Sequence, residues 1–230
     1  MPALYNAAAA VIEYLRKVNG MQRPVCYIVG AGEDYGLTFT PGPDDLVIAA
    51  DGGYARLRQQ GIRPQLVVGD FDSLGAAPQG EETVVLPTVK DVTDTWAAVE
   101  LGLARGYERF ELYGCTGGSR FCHTVANLQT AARLAAEGKS CRIHDKTQII
   151  TAIAGGQALH FESSCRGFVS VFSYTDRCTG VCLRGLKYPL EDAELTNVFP
   201  LGVSNEFIGI PASVSLRSGI ALVIWQRQSV

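Results

Sequence analysis

The sequence predicts an α/β fold: an N-terminal, mostly parallel sheet with flanking helices, Rossmann-like in type, joined to a smaller C-terminal antiparallel β-sandwich or barrel. Three observations predict it. Short apolar runs alternate with helical patterns between residues 25 and 154, which is the signature of strands joined by crossover helices. Beyond about Gly155 the helical patterns stop, and short alternating segments separated by turn residues take over, as in an antiparallel sandwich or barrel. A chain of 230 residues with 47% hydrophobic content can also bury a substantial core, in one large domain or two small ones. The resulting division is a helical extension, 1–24, an α/β domain, 25–154, and a β-rich domain, 155–230.

Taken in order, Leu4 to Val18 reads as an amphipathic helix, with Val11, Ile12, Leu15 and Val18 on one stripe and Glu13, Arg16 and Lys17 off it. Val25-Cys26-Tyr27-Ile28-Val29 is a strand that runs into Gly30-Ala31-Gly32, a glycine turn where backbone can approach a ligand. Strand Leu46 to Ala50 ends at Asp51-Gly52-Gly53 and is followed by a helix to Gln60, strand Gln65 to Gly69 and a short strand Thr83 to Leu86. Helix Thr93 to Arg105 precedes strand Arg109 to Tyr113, and helix His123 to Glu137 precedes strand Ser140 to His144. The β-rich part holds Gln157 to Phe161, Gly167 to Ser173, Val181 to Arg184, Ser213 to Leu216 and Ile220 to Trp225. In parallel sheets ligands collect beyond the C-terminal ends of the strands. Gly30, Asp51, Asp70, Asp72 and Gly114 all fall there.

Composition removes several classes of function. A net charge of −3 speaks against a general nucleic-acid binder, which carries a basic face. No apolar run approaches the ~18 residues that span a bilayer, and the N-terminus lacks a basic start followed by an unbroken apolar core. The reading is a cytoplasmic protein that engages neither nucleic acid nor membrane. Seven cysteines without paired spacing read as free, mostly buried thiols.

The chemistry begins at Val67-Val68-Gly69-Asp70-Phe71-Asp72-Ser73, where an apolar strand delivers two carboxylates to its polar end. In extended backbone Asp70 and Asp72 share one face. Two like charges ~4 Å apart repel by roughly 4 kcal/mol at an effective dielectric near 20, a cost that a divalent cation turns into a site. A small set of hard oxygen ligands suits Mg²⁺, which completes its shell with waters and substrate phosphates. The same string also serves as a plain turn, since Asp and Ser satisfy loop backbone. Gly114-Cys115-Thr116-Gly117-Gly118-Ser119-Arg120 follows a strand and opens a helix, so its N–H groups and the helix dipole suit an anion, with Arg120 a bidentate partner. A flexible turn with a surface arginine is the alternative. His123 and Asn127, four apart, share a helical face, as a structural pair or as a ligand-binding one. In Lys90-Asp91-Val92-Thr93-Asp94, Thr93 caps the next helix and Asp94 sits in its first turn, which leaves Lys90 and Asp91 as a cation and a carboxylate where phosphates and their metal need both, with Lys90 equally a solvated surface charge.

Asp51-Gly52-Gly53, Gly69-Asp70-Phe71-Asp72-Ser73, Lys90-Asp91-x-Thr93-Asp94, the glycine-rich turn with Arg120, His123 and Asn127, and Gly202-Val203-Ser204-Asn205-Glu206-Phe207 together resemble bacterial thiamine pyrophosphokinase. The likeness runs from Val25 over nearly all of the remaining chain. It implies that 25–154 binds ATP, that 155–230 binds thiamine, and that a homodimer shares its active sites between subunits. It further implies Mg²⁺ as cofactor and ATP as co-substrate in a transfer of diphosphate to thiamine. Carried over by position, Asp70, Asp72, Asp94 and Asp91 hold the metal, and Asp72, Asp94, Lys90 and Arg120 serve catalysis. Gly30, Asp51, Gly117, Gly118, Arg120, His123 and Asn127 line the nucleotide side, and Ser204 and Asn205 meet thiamine. Trp225 reads as core, with stacking on a pyrimidine ring the alternative. Two departures stand out: Ser119 is inserted before Arg120, and Cys122 replaces an acid that the family carries before the histidine. A catalytically weakened nucleotide or thiamine sensor is therefore a rival reading. A second is an aspartyl-nucleophile phosphatase, which strand-Asp-x-Asp-Ser also resembles.

Overall fold

The computed structural model describes residues 23–70, 80–87 and 91–228. The helix expected over Leu4 to Val18 lies outside the described residues, as do Asp72 and Lys90. The first half builds β1 (Cys26–Val29), β2 (Leu46–Ala50), α1 (Gly53–Gln59), β3 (Leu66–Gly69), β4 (Glu82–Val85), α2 (Asp94–Ala104), β5 (Arg109–Tyr113), α3 (Phe121–Ala136) and β6 (Ser140–His144). The six strands pair in parallel in the order β6-β5-β1-β2-β3-β4. Every residue of β2 and β3 is buried, because helices cover both faces and a strand so placed reads as a continuous apolar run. On one face Ala98 and Val99 of α2 and Ala131, Leu134 and Ala135 of α3 pack on Cys26, Ile28, Ile48 and Leu112. On the other, Leu57 of α1 meets Val29, Val47 and Val67, with Phe39 from the β1–β2 connection beside them. Each fully buried leucine or isoleucine here contributes roughly 2–3 kcal/mol relative to exposure.

This second face also holds a buried polar pair. Glu111 on β5 is 5% exposed and accepts or shares a proton with His144 Nε2 at 2.6 Å. Arg109 lies 3.2 Å and Arg142 3.9 Å from its other oxygen. The His144 ring stacks on Tyr113 at 4.1 Å between centroids.

The second half comprises β7 (Gln148–Ala154), β8 (Ala158–Phe161), β9 (Phe168–Ser173), β10 (Arg177–Arg184), β11 (Leu190–Thr196), β12 (Asn205–Glu206), β13 (Ala212–Ser215) and β14 (Ile220–Gln226). β7 pairs antiparallel with both β6 and β14, and β9 and β12 follow, so one ten-stranded sheet runs β12-β9-β14-β7-β6-β5-β1-β2-β3-β4. Hydrogen bonding is thus continuous across residue 154, where the composition changes. A second, four-stranded antiparallel sheet, β11-β10-β13-β8, packs on the antiparallel end of the first. Val169, Val171 and Val223 meet Val181, Leu183 and Val214 between them. Trp225 belongs to this core: it is 7% exposed and makes an edge contact with Phe161 at 5.4 Å, so it has no open face for a pyrimidine. All seven cysteines are free, and Cys26, Cys115, Cys141 and Cys178 are buried.

Candidate active site

The chain runs from β1 outward to β4, then returns so that β5 lies on the opposite side of β1. Connections after β1 and β5 therefore leave in opposite directions, and a crevice opens at their C-terminal ends. A cleft of about 410 Å³ occupies that place, with walls from the turns after β1, β2 and β5 and the first turns of α2 and α3.

The turn after β1 is locked from two sides. Gly30 N–H donates to the Tyr113 carbonyl at 2.8 Å, Gly32 N–H to the Gly114 carbonyl at 2.7 Å, and Glu33 N–H to the Thr116 carbonyl at 3.0 Å. The two loops lie so close that a Cβ on Gly32 would sit 2.6 Å from the Gly114 carbonyl oxygen and 2.7 Å from that of Thr116. The carbonyls of Gly30, Ala31 and Gly32 turn the other way, onto the Arg56 guanidinium: Nη1 donates to Gly30 O at 2.8 Å, and Nη2 to Ala31 O at 3.3 Å and to Gly32 O. The glycine turn, expected to offer backbone to a ligand, spends these N–H groups internally and acts as a rigid wall. Gly30 supports that wall from behind, while Ala31 and Gly32 line the cleft.

Acids gather at neighbouring strand and helix ends. Asp51, at the end of β2, lines the cleft and has φ of 50°, a left-handed conformation that Asp tolerates better than bulkier residues. Its N–H is held by the Val68 carbonyl at 2.8 Å, which ties it to β3, whose end delivers Asp70. Asp94 lines the cleft from the first turn of α2. Thr93 caps that helix, its Oγ1 accepting from Trp96 N–H at 3.1 Å, so the cap expected from the sequence is present. Among the described residues no three His, Cys, Asp or Glu side chains converge into a ready-made metal cluster.

The loop after β5 supplies the opposite charge. Gly117, Gly118, Ser119, Arg120, His123 and Asn127 all border the cleft. Gly117 and Gly118 have φ of 70° and 77°, the region open to glycine at no steric cost. α3 starts at Phe121 after an N-cap, Arg120, that makes no side-chain cap bond, and has no acid in its first turn; His123 N–H closes on the Arg120 carbonyl at 2.9 Å, and the end of the helix before it suits solvent or an anion. Asn127 ties this helix to the loop, donating from Nδ2 to the Cys115 carbonyl at 2.6 Å. Cys115 also borders the cleft, but burial pushes its thiol up to about 12, which keeps it a neutral donor to the Tyr113 carbonyl and no nucleophile.

The remaining expected residues lie elsewhere. Asp91 borders a separate groove of about 230 Å³ beside Trp96 and Arg133. Ser204 and Asn205 are at β12, the far edge of the sheet and five strands from β5, about 24 Å away at the usual strand spacing. Ser204 is exposed with φ of 56°, whereas Asn205 is buried and clamps Tyr188 through N–H and carbonyl bonds of 2.9 and 2.7 Å. Sequence reasoning missed Glu33, Thr95, Thr124 and above all Arg56, which also line the cleft. An arginine one turn after Asp-Gly-Gly carries no local signal of its carbonyl partners.

Comparison with known proteins gives concordant matches. The family model described as thiamin pyrophosphokinase, catalytic domain, matches residues 43–143, and that described as thiamin pyrophosphokinase, vitamin B1 binding domain, matches 157–221. The thiamine pyrophosphokinase of Bacillus subtilis (strain 168) is 27% identical over 185 residues, 78% of this chain and 86% of that protein. The crystal structure of thiamine pyrophosphokinase from Bacillus subtilis superposes with a TM-score of 0.79 at 26% identity, covering 89% of this chain and 100% of the other. That of thiamin pyrophosphokinase from Geobacillus thermodenitrificans gives 0.76 at 26% identity, covering 89% and 98%.

Proposed function

The chain belongs to the thiamin pyrophosphokinase family, and from that premise we propose that it transfers the diphosphate of ATP to the hydroxyl of thiamine, giving thiamine diphosphate and AMP. The observation that carries the reading is the cleft at the β1/β5 switch point, which holds both signs of charge. Glu33, Asp51 and Asp94 stand with Arg56 and Arg120 around one space, which His123 also borders. In the reaction the thiamine hydroxyl oxygen bonds to the β-phosphorus while the bond to the bridging α–β oxygen breaks. AMP leaves with that electron pair, and the hydroxyl proton passes to a carboxylate. Arg120 and the uncapped first turn of α3 bind phosphate oxygens, and holding the groups in line supplies much of the rate. Asp94 is the described acid best placed, at a helix start inside the cleft, to take the proton or to hold the metal.

The carboxylate donors fit Mg²⁺, which prefers a few oxygens and keeps waters and phosphates. Asp94 and Asp70, with Asp51 in support, would hold it together with Asp72. When bound it neutralises charge on the phosphoryl oxygens. The same reading makes the enzyme a homodimer with shared sites: Ser204 and Asn205 lie too far from the cleft of their own chain to meet thiamine there. It is also a cytoplasmic reading; no helix among the described residues is long and apolar enough to cross a membrane.

Incubation with ATP, Mg²⁺ and thiamine tests it, scoring AMP and thiamine diphosphate together. Equimolar formation of both is expected. Tight ligand binding without AMP release would point instead to a sensor, and an acid-labile aspartyl phosphate to a phosphatase.

A further inference from the structure

We propose that Arg56 is a positioning residue for the nucleotide, acting by shielding the carbonyl wall of the cleft. Three successive carbonyls, those of Gly30, Ala31 and Gly32, point onto one guanidinium. Ala31, Gly32 and Arg56 all border the cleft, beside Gly114 and Cys115. The N–H groups of Gly30, Gly32 and Glu33 are already spent on the β5 loop, so without Arg56 the turn would face the cleft mainly with acceptors. A polyphosphate is itself rich in acceptors, and facing an uncapped row of carbonyl dipoles it would be repelled. With Arg56 in place that wall carries positive charge and spare N–H groups, because a guanidinium has five donors in a fixed plane.

The arrangement is tight enough to leave little freedom. A Cβ on Gly114, whose φ is 60°, would collide with Arg56 Nη1 and with the Gly30 carbonyl, so the loop after β5 closes over the same contact. A lysine keeps the charge but not the planar fork, and cannot serve three carbonyls at once. The role concerns the anionic substrate alone, since thiamine is a cation and gains nothing from a shielded carbonyl wall.

This inference rests on the cleft being the ATP site of the proposed function, and the test separates the two. Steady-state kinetics of Arg56→Ala and Arg56→Lys are compared with the wild type, varying ATP and thiamine in turn. The expected result is a rise in KM for ATP of about tenfold or more in Arg56→Ala and a smaller rise in Arg56→Lys, the scale of one lost charge-assisted contact. KM for thiamine stays within about twofold, and added guanidinium ion restores ATP affinity to Arg56→Ala. A merely structural role would shift both substrates together and show no rescue. Calorimetric binding of a non-hydrolysable ATP analogue with Mg²⁺ gives the same comparison without turnover. A wild type that binds the analogue more tightly than Arg56→Ala yet makes no thiamine diphosphate upholds this inference and overturns the function. Turnover with an unchanged KM for ATP in Arg56→Ala, or equal shifts for both substrates, overturns the inference alone.

Discussion

The parallel and antiparallel halves of the ten-stranded sheet differ in what they leave uncovered. In the parallel half the central strands β2 and β3 are buried on both faces, and two of its loops are closed on each other: the turn after β1 is bonded to the loop after β5 and to Arg56. The antiparallel half keeps the alternation of a sheet with one wet face, as in β9, whose residues alternate between buried and half-buried after an exposed start. It also exposes large apolar side chains, six of them between Val198 and Ile210, among them Val198 at 86% and Phe199 at 64%. So many exposed apolar side chains within one short stretch of sequence suit association with a partner. The first half therefore completes the walls of its own cleft, and the second presents a surface that asks for a neighbour. The proposed homodimer joins the two facts, because that surface flanks Ser204 and Asn205.

The comparison breaks most sharply at Asp94, which belongs wholly to the first half. Asp94→Asn is expected to lower kcat by about a hundredfold or more, the scale of a positioned acid–base or ligand group, with the thermal midpoint little changed. Purified variant retaining wild-type turnover would remove Asp94 from the mechanism. The equivalent expectation for Asp72→Ala is loss of turnover with the fold intact.

A smaller effect is expected where the second half meets its neighbour. Leu201 and Val203 are both 50% exposed, so replacing either with Glu costs the single chain less than about 0.5 kcal/mol. The pair Leu201→Glu and Val203→Glu should convert a dimer to monomers in sedimentation and reduce turnover with it. A dimer that survives with full turnover would locate the interface elsewhere. The walls of the first half respond differently: Gly32→Ala places a methyl against two backbone carbonyl oxygens, and is expected to destabilise the fold by about 1–3 kcal/mol, read as a lower denaturation midpoint. Gly138→Ala, with nothing within 4 Å of the added atom, bears only the strain of its φ of 74°, about 1–2 kcal/mol.

What the sequence reveals follows from how local each determinant is. The spans of β2, β5 and β6 are readable to the residue because each apolar run stops at a charged or glycine residue. α3 begins at Phe121, two residues before the expected His123, since Arg120 starts it without the usual capping side chain. β7 is missed because Gln148-Ile149-Ile150-Thr151-Ala152-Ile153-Ala154 has no alternation, being held between β6 and β14, and its main partner is more than sixty residues away. β11 is missed because an edge strand of mostly exposed residues has little apolar pattern to show. At the site, the acids and the glycine loop are legible from their positions at strand ends. Arg56 is not, because its partners are main-chain carbonyls of a distant turn, which no side-chain pattern encodes.

The two halves also differ in their ion pairs, buried in the first and exposed in the second. In the first, Glu111 is buried with His144, Arg109 and Arg142. Burial pushes its carboxyl up, but the hydrogen bond and charge of His144, with Arg142 and Arg109, outweigh it and hold the carboxyl below its ordinary value of 4.5. The folded protein then binds fewer protons at Glu111 than the unfolded chain does. Its contribution is fully present above that ordinary value and is lost as pH falls through the lower folded one. In the second half, Arg184–Glu191 and Arg217–Asp192 are exposed on both sides, where water and salt screen the pair and little of its attraction reaches stability. Glu111→Gln should cost about 1–3 kcal/mol at neutral pH and flatten the acid limb of stability below pH about 4.5. Glu191→Gln should leave that limb as it is in the wild type. Denaturant melts of the three proteins from pH about 3 to about 7 measure both, and an acid limb unchanged in Glu111→Gln would show that other carboxylates set it.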